Sequence, residues 1–236
     1  MNLKDKKGRN IISLIYKFEK NTQEEQEEEE IEEFDEKNYF ESLNKYRIFG
    51  EKFVRNNESN CTIIYKGNEI KLRELLPYEE NDTIYDKFIF IKLKVNNKIT
   101  NMTDMFKDCK ALYSIPDISN LNTSNVTKME GIFENCESLS FISGLLEWDV
   151  SLVTDMSKMF YNCKSLSYLE DISKWNASKI IHIGGIFDNC ISLSFLPNII
   201  EWKIPKYIIS GQPSKECIES LGYFYHDNCI NSINII

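Results

Sequence analysis

Histidine and glycine are both scarce in this chain, and their scarcity narrows the chemistry open to it. Only two histidines, His182 and His226, occur among 236 residues. A general base needs a positioned partner, and no spacing around either histidine suggests one. The nine glycines include no Gly-x-Gly arrangement, which excludes the common phosphate-cradling loops. The sequence therefore predicts no catalytic residue and no cofactor.

Metal-ligand clusters are missing as well. Cys229 follows His226 by three residues, but a zinc site needs about four ligands and no Cys-x-x-Cys partner exists. We therefore predict no metal site. A Cys-dependent enzyme that uses Cys61 or Cys229 is a remote alternative.

Long hydrophobic runs are absent too. No stretch of 18 apolar residues is present, so no membrane span is predicted. The apolar run from Ile11 to Ile15 is too short for the core of a signal peptide. We expect a cytoplasmic protein, with the cell surface as the alternative if an export signal lies elsewhere. The seven cysteines form an odd number, which argues against a complete disulfide framework.

Basic patches are also lacking. The net charge of −9 comes from one low-complexity run, Glu24 to Glu36, in which ten of thirteen residues are acidic. The rest of the chain carries 27 acids against 28 bases. A chain with this charge balance has no excess of basic residues to bind a phosphate backbone, so we predict no nucleic-acid partner. The acidic run itself predicts a disordered insert over about 22–36.

What the chain does contain is a repeat of 27 residues. The motif Met105-Phe106-x-x-Cys109 returns with this period in three further copies, with Met or Ile at its first position. Leucine and tryptophan columns keep the same register. A fixed period of this size indicates stacked units that bury one continuous core. The columns predicted to form that structural core are Phe106, Phe133, Phe160 and Phe187; Cys109, Cys136, Cys163 and Cys190; Leu112, Leu139, Leu166 and Leu193; and Trp148, Trp175 and Trp202.

Three regions follow from this period. Residues 1–97 do not follow the repeat, and their pattern predicts a β-rich N-terminal unit. Its predicted elements are strands at Ile11–Tyr16, Tyr46–Phe49 and Phe88–Val95 and a hairpin around Gly67-Asn68. Because an open stack of repeats exposes its core, we expect this unit to act as a cap. The repeats occupy residues 98–206. In residues 207–236 only Cys217 keeps the register, which predicts a degenerate last coil or a C-terminal cap.

Within one repeat, the pattern predicts two kinds of local structure. The Leu166-x-x-Leu169-x-x-Ile172 segment predicts a short parallel strand. The segment from Thr154 to Phe160 has a capping residue and an apolar spacing of three to four, which predicts a helical turn.

The string from Met159 to Leu169, followed by Asp171-Ile172-Ser173-Lys174-Trp175-Asn176, resembles the BspA-type leucine-rich repeat. This family occurs in bacterial and mycoplasma surface proteins and in some protists. The resemblance covers 99 to about 204 and implies a right-handed solenoid with one parallel strand per coil. It also implies a role in binding other molecules, often proteins, without catalysis. The predicted fold class is thus α+β and β-rich: a leucine-rich-repeat solenoid of 27-residue coils behind a small β-rich cap.

One column offers candidate binding residues. Ser114, Phe141, Tyr168 and Phe195 occupy equivalent positions between core leucines, and Tyr113, Ser140, Ser167 and Ser194 precede them on the same strip. Rings at such positions either anchor a partner or pack into the core, and the sequence leaves both interpretations open. We predict a monomeric, non-catalytic scaffold for protein–protein interaction, whose partner is unknown. The alternative is a surface adhesin that binds host or environmental molecules, if the chain is exported.

Overall fold

The structure is a computed structural model, and it describes residues 10–18, 47–76, 87–194 and 202. The acidic run, Phe195, Cys217, His226 and Cys229 lie outside these residues. Among the described segments, no helix is long and apolar enough to cross a membrane.

The N-terminal part is mostly β structure. It contains strands β1 (Ile11–Phe18), β2 (Cys61–Tyr65), β3 (Asn68–Lys71) and β4 (Lys87–Val95), and one helix, α1 (Glu51–Asn57). The repeats contribute strands β5 (Leu112–Ser114), β6 (Phe141–Ile142) and β7 (Tyr168–Leu169), and 3-10 helices at Ile118–Asn120, Leu145–Glu147 and Ile172–Lys174.

Five of these strands form one antiparallel sheet in the order β3-β2-β4-β1-β5. Strand β1 alternates fully, because Ile12, Leu14, Tyr16 and Phe18 point into the core while their neighbours are half-buried. The predicted hairpin is present, but its turn is Lys66-Gly67, with φ of 48° and 81°. Two positive φ angles match the twist that a two-residue hairpin needs.

The prediction of a strand at Tyr46–Phe49 is wrong for the residues of it that the structure describes. Ile48 and Phe49 are not in a strand, and Arg47 forms only an isolated bridge with Leu75. The chain instead turns at Gly50 into helix α1, which the sequence pattern did not reveal because only Phe53 and Asn57 of this helix are buried.

Successive repeats lie side by side in parallel. The backbone N–H of Met102 donates to the carbonyl of Lys128 at 2.9 Å, and Met129 and Met156 repeat this bond to Asp155 and His182. Three further donors in each repeat reach the next one in the same way. Strands β6 and β7 also pair in parallel, as predicted from the leucine segment. Most of the backbone hydrogen bonds between repeats, however, lie in the segment that contains the Met/Ile-Phe-x-x-Cys motif.

That segment is a turn and not the predicted helical turn. Lys158 has φ of 55°, and Asn162 has φ of 59°, so the chain leaves the right-handed helical region twice between Thr154 and Cys163. Asp108, Asn135 and Asn189 occupy the equivalent left-handed position in the other copies, with φ between 60° and 61°. Asparagine and aspartate tolerate this conformation better than other residues with a side chain, which explains their column.

The asparagine column is also linked side chain to side chain. Asn135 Nδ2 donates to Asp108 Oδ1 at 2.6 Å, and Asn162 Nδ2 donates to Asn135 Oδ1 at 2.9 Å. Each amide thus joins its own repeat to its neighbour in the register that the backbone bonds set.

The core is built from the same columns that the sequence repeats. All the predicted core side chains are buried, with at most 5% of any one exposed. The rings of Phe106, Phe133, Phe160 and Phe187 stack with centroids 5.3–5.7 Å apart. The N-terminal part continues this stack, because Phe49 lies 5.7 Å from Phe106.

The cysteine and tryptophan columns do more than fill space. The thiol of Cys136 donates to the carbonyl of Phe106, 30 residues earlier, at 3.1 Å. Cys163 and Cys190 donate in the same way to the carbonyls of Phe133 and Phe160. The indole N–H of Trp175 donates to Leu145 O, again 30 residues back. The first copy has Leu121 in the tryptophan column, where no earlier repeat exists to accept such a bond.

The N-terminal part covers the first repeat closely. Gly50 N–H donates to Met105 O at 3.1 Å, and Asn57 Nδ2 donates to Asn101 O at 2.9 Å. A Cβ on Gly50 would lie 1.9 Å from Asp104 O, so only glycine fits here. On the other side of the sheet, strand β1 bonds to Asp117 through the amide and hydroxyl of Ser13. The sheet itself crosses the predicted boundary at residue 97, since β5 belongs to the first repeat.

Candidate interaction surface

The candidate surface begins with two rings on the short parallel strands. Phe141 and Tyr168 are exposed at 48% and 53%, whereas Ile142 and Leu169, the next residues along β6 and β7, are buried. Their rings stack on each other with centroids 5.5 Å apart and planes at 22°. Strand alternation therefore puts these aromatics outside the core.

The other predicted members of this column behave differently. Ser114 is half-buried and pairs with Ile15 of β1, so its side chain lies at the junction between the N-terminal sheet and the repeats. Phe195 lies outside the described residues. The structure thus brings Phe141 and Tyr168 together and places Ser114 one repeat away.

Three more exposed rings extend the surface. The sequence already placed Tyr113 among the candidates between core leucines, but it did not reveal Phe88 and Phe90. Phe88 and Phe90 on β4 are exposed at 47% and 65%, and Tyr113 on β5 is exposed at 42%. Tyr113 contacts Phe88 edge-on, with centroids 5.2 Å apart. The alternation of Phe88 and Phe90 with Ile89 and Ile91 could have placed both rings on the outer face. The contact of Tyr113 with Phe88 could not have been predicted in this way. We call Phe88, Phe90, Tyr113, Phe141 and Tyr168 the aromatic strip.

Tyr113 owes its position to an irregularity in the sheet. Leu112 pairs with Tyr16 and Ser114 pairs with Ile15, so β5 has one residue more than β1 between these pairs. A bulge of this kind re-aims the extra side chain. Here it turns the ring of Tyr113 toward Phe88.

Lysines lie beside the rings on the N-terminal sheet. Lys92 and Lys71 are exposed and have no ion pair within the part of the chain that the structure describes. Lys94 lies 2.8 Å from Glu69, and the bond from its ammonium group is the main cause that lowers the pKa of the Glu69 carboxyl. The outer face of this sheet therefore carries a surplus of positive charge.

The thiols of the described residues are poorly suited to nucleophilic chemistry. Cys61 is buried, and burial raises the pKa of its thiol to about 12. Burial also holds the thiol pKa values of Cys109, Cys136 and Cys163 well above their usual range. A protonated thiol is a weak nucleophile and a weak metal ligand. Within these segments, no group of three or more His, Cys, Asp or Glu side chains could hold a metal ion.

Two shallow hollows accompany the strip elsewhere on the surface. One of about 260 Å³ is lined mainly by polar residues of the first two repeats, among them Asn120 and Asn122 of the first and Glu147 of the second. The other, of about 220 Å³, lies between α1 and the first repeat, where Lys52 pairs with Asp104 at 3.2 Å. Oδ1 of this buried Asp104 has no hydrogen-bond partner within the described residues and lies close to Gly131.

Comparison with known proteins gives one match. No curated protein and no solved structure matches this chain. Residues 91–202 match the family described as "Mycoplasma protein of unknown function, DUF285". This stretch includes the end of β4 and the four copies of the Met/Ile-Phe-x-x-Cys motif, so this part of the chain is similar to that family.

Proposed function

We propose that the repeats form a right-handed solenoid of the BspA leucine-rich-repeat type and that the chain is a non-catalytic scaffold that binds another protein. The backbone bonds between successive repeats and the continuous phenylalanine stack support the solenoid. Each repeat buries its core side chains only with the help of its neighbours, which is the defining physics of such arrays. The match to the DUF285 family over the repeats is compatible with this fold.

The exposed pair of Phe141 and Tyr168 carries the functional part of the proposal. About half of each ring is exposed, although the strands on which they lie otherwise bury their apolar side chains. Aromatic side chains grouped on a surface are typical of protein–protein contacts, since they bury much area with little loss of rotamer freedom. The small Ser140 and Ser167 beside them allow a partner's backbone to approach closely.

The thiol chemistry supports a scaffold over an enzyme. A Cys-dependent enzyme needs a thiolate, and at neutral pH the raised pKa of Cys61 keeps its thiol protonated. His182, the described histidine, is exposed and lies in a column with Lys128 and Asp155, away from any cysteine in the sequence register. No described cysteine therefore offers a thiolate paired with a histidine base.

Site-specific photo-cross-linking tests the function. A photoreactive amino acid at Tyr168 should give a discrete adduct with a protein in an extract of the source cells. Excess unlabelled wild-type protein should suppress this adduct, and excess Phe141→Ser/Tyr168→Ser protein should not. The matched control carries the photoreactive group at Ile181, which is 52% exposed but lies outside the strip. Equal adducts at both positions, or equal suppression by both competitors, would refute the proposed binding surface.

A further inference from the structure

We propose that the N-terminal sheet is part of the binding surface and selects a partner segment that is acidic and apolar. This inference rests on the proposed function, because it takes the aromatic strip to be a protein-binding surface. It goes further in two respects: the N-terminal part binds as well as caps, and the partner has a defined chemistry.

The first step is the placement of two rings on one central strand. On β4, Ile91 and Leu93 point into the core, so Phe88 and Phe90 lie on the opposite face. Strand β1 presents Ile15 directly opposite Phe90. Cross-strand neighbours on one face lie about 5 Å apart, so these side chains form one apolar area.

The second step is continuity between the sheet and the repeats. Tyr113 contacts Phe88 from β5, which is the last strand of the sheet and the first of the repeats. The hydrogen bond from Ser138 N–H to Lys110 O joins the first and second repeats near this strand, and β6 and β7 follow. An extended segment that covers Phe141 can therefore continue over Tyr113 to Phe88 and Phe90.

The third step is charge. Lys92 follows Phe90 by two residues on the same strand, and Lys71 and Lys94 both pair with Thr62 across the sheet, so these lysines share the outer face. Two carboxylates lie at this face: Glu69 is bound to Lys94, and Asp117 of the first repeat is bound to Ser13, which pairs with Lys92. The three lysines still outnumber them. Apart from its acidic run the chain is nearly neutral, so the fold and not the composition concentrates this charge. Carboxylates of a partner complement it.

A single-stranded nucleic acid would also combine negative charge with flat groups that stack on rings. The geometry favours a peptide. Phe141 and Tyr168 stack on each other, so their faces are not both open as platforms for bases. Two lysines without an ion pair neutralise few phosphates, and affinity for nucleic acid rises with each phosphate neutralised.

Fluorescence anisotropy with defined probes tests the proposal on the full chain. The probe is a short labelled peptide that alternates glutamate with leucine, and its counterpart alternates lysine with leucine. We expect the Glu–Leu peptide to bind wild-type protein at least about tenfold more tightly, with an affinity that falls as salt rises. Phe90→Ser and Lys92→Glu should each weaken this binding about tenfold. Lys92→Glu should also improve binding of the Lys–Leu peptide.

Controls keep the result specific. Lys179→Glu makes the same charge change at an exposed residue outside the strip, and Ile181→Ser removes an exposed apolar side chain there; neither should alter binding. Thermal melting verifies that each variant is folded. Equal affinity for both peptides, or no effect of Phe90→Ser and Lys92→Glu in folded protein, would overturn the proposal. So would tighter binding of an oligothymidine probe. These outcomes leave cross-linking at Tyr168 intact, so the failure of this inference is distinct from the failure of the proposed function.

Discussion

The indole Nε1–H of Trp175 donates a hydrogen bond of 3.0 Å to the carbonyl oxygen of Leu145, 30 residues earlier in the chain. Trp148 and Trp202 make the equivalent bonds to Ile118 and Ile172. Each tryptophan thus bonds into the preceding repeat, and the rings of successive tryptophans stack with centroids 5.6–6.5 Å apart. The column therefore joins the repeats by a directional bond as well as by packing.

Two substitutions of Trp175 separate these contributions. Trp175→Ala should lower the free energy of unfolding by roughly 3–5 kcal/mol, because it leaves a cavity in the middle of the stack. Trp175→Phe keeps most of the packing and removes the donor. Since Leu145 O still accepts from Trp148 N–H, the lost bond adds only about 0.5–1.5 kcal/mol to the cost of the smaller ring. Urea denaturation measures both values. A loss for Trp175→Phe as large as that for Trp175→Ala would contradict this division.

The buried thiols predict a loss of stability at alkaline pH. Burial raises the pKa of Cys109, Cys136 and Cys163 in the folded protein, whereas an unfolded thiol titrates near pKa 8.5. Above that pH the unfolded chain holds fewer protons than the folded chain, so the free energy of unfolding falls as pH rises. Below about pH 8 this contribution is fully present.

Urea denaturation at a series of pH values from 7 to 10.5 measures this effect. The slope of the free energy of unfolding against pH should become negative above about pH 8.5. This slope should be shallower in Cys163→Ala, which has one titrating thiol fewer. The pKa of the Tyr16 hydroxyl is also raised by burial, and it extends the loss above pH 10. Stability that stays constant up to pH 10.5 would show that the thiols are not buried in the folded protein.

The asparagine ladder predicts a pH-dependent defect in Asn135→Asp. The change removes the donor to Asp108 and places two carboxylates side by side at a spacing now held by a bond of 2.6 Å. We expect a loss of about 1–3 kcal/mol at pH 7. Part of it should return below about pH 4, where one carboxyl is protonated and can donate again.

Asn135→Gly serves as the control for this variant, because glycine accepts the φ of 61° but makes no side-chain bond. The loss in free energy of unfolding that Asn135→Gly causes should be the same at pH 4 and pH 7. If both variants respond to pH alike, the interaction with Asp108 is not the cause.

The contact between Phe49 and Phe106 predicts that the N-terminal part and the repeats unfold together. Phe49→Ala should cost roughly 3–5 kcal/mol and should lower the melting temperature seen by both far-ultraviolet circular dichroism and tryptophan fluorescence. The three tryptophans lie in the repeats, so their signal reports on that part alone. Phe90→Ser, at an exposed ring, should change stability little. If Phe49→Ala leaves the midpoint of the fluorescence transition unchanged, the two parts unfold independently.

The sequence predicted the core well where one physical cause sets each column. Phe133, Cys136 and Leu139 repeat because an identical environment recurs in each repeat, and such periodicity is visible without a structure. The column of Asn135 was equally periodic, and its left-handed conformation could have been inferred from the residue type. Helix α1 was harder to find, since Phe53 gives it little apolar periodicity.

The candidate surface could be predicted only in part. The column of Phe141 and Tyr168 was identified, but the sequence could not decide whether the rings point into the core or away from it. The pairing of Ile15 with Ser114 joins segments about a hundred residues apart. No local pattern records that pairing, and Tyr113 reaches Phe88 only through it. The accumulation of lysines on one face likewise depends on strand order and not on composition.

The most direct test of the central claim is competition for the protein partner by variants of the strip. The partner is the protein cross-linked through Tyr168, and its binding is measured with purified components. Phe141→Ser, Tyr168→Ser and Phe141→Ser/Tyr168→Ser should keep a melting temperature close to that of the wild type. The single variants should weaken binding about tenfold and the double variant more, while Ile181→Ser binds normally. Undiminished binding by the folded double variant would contradict the claim, as would a collapse of stability that places these rings in the core.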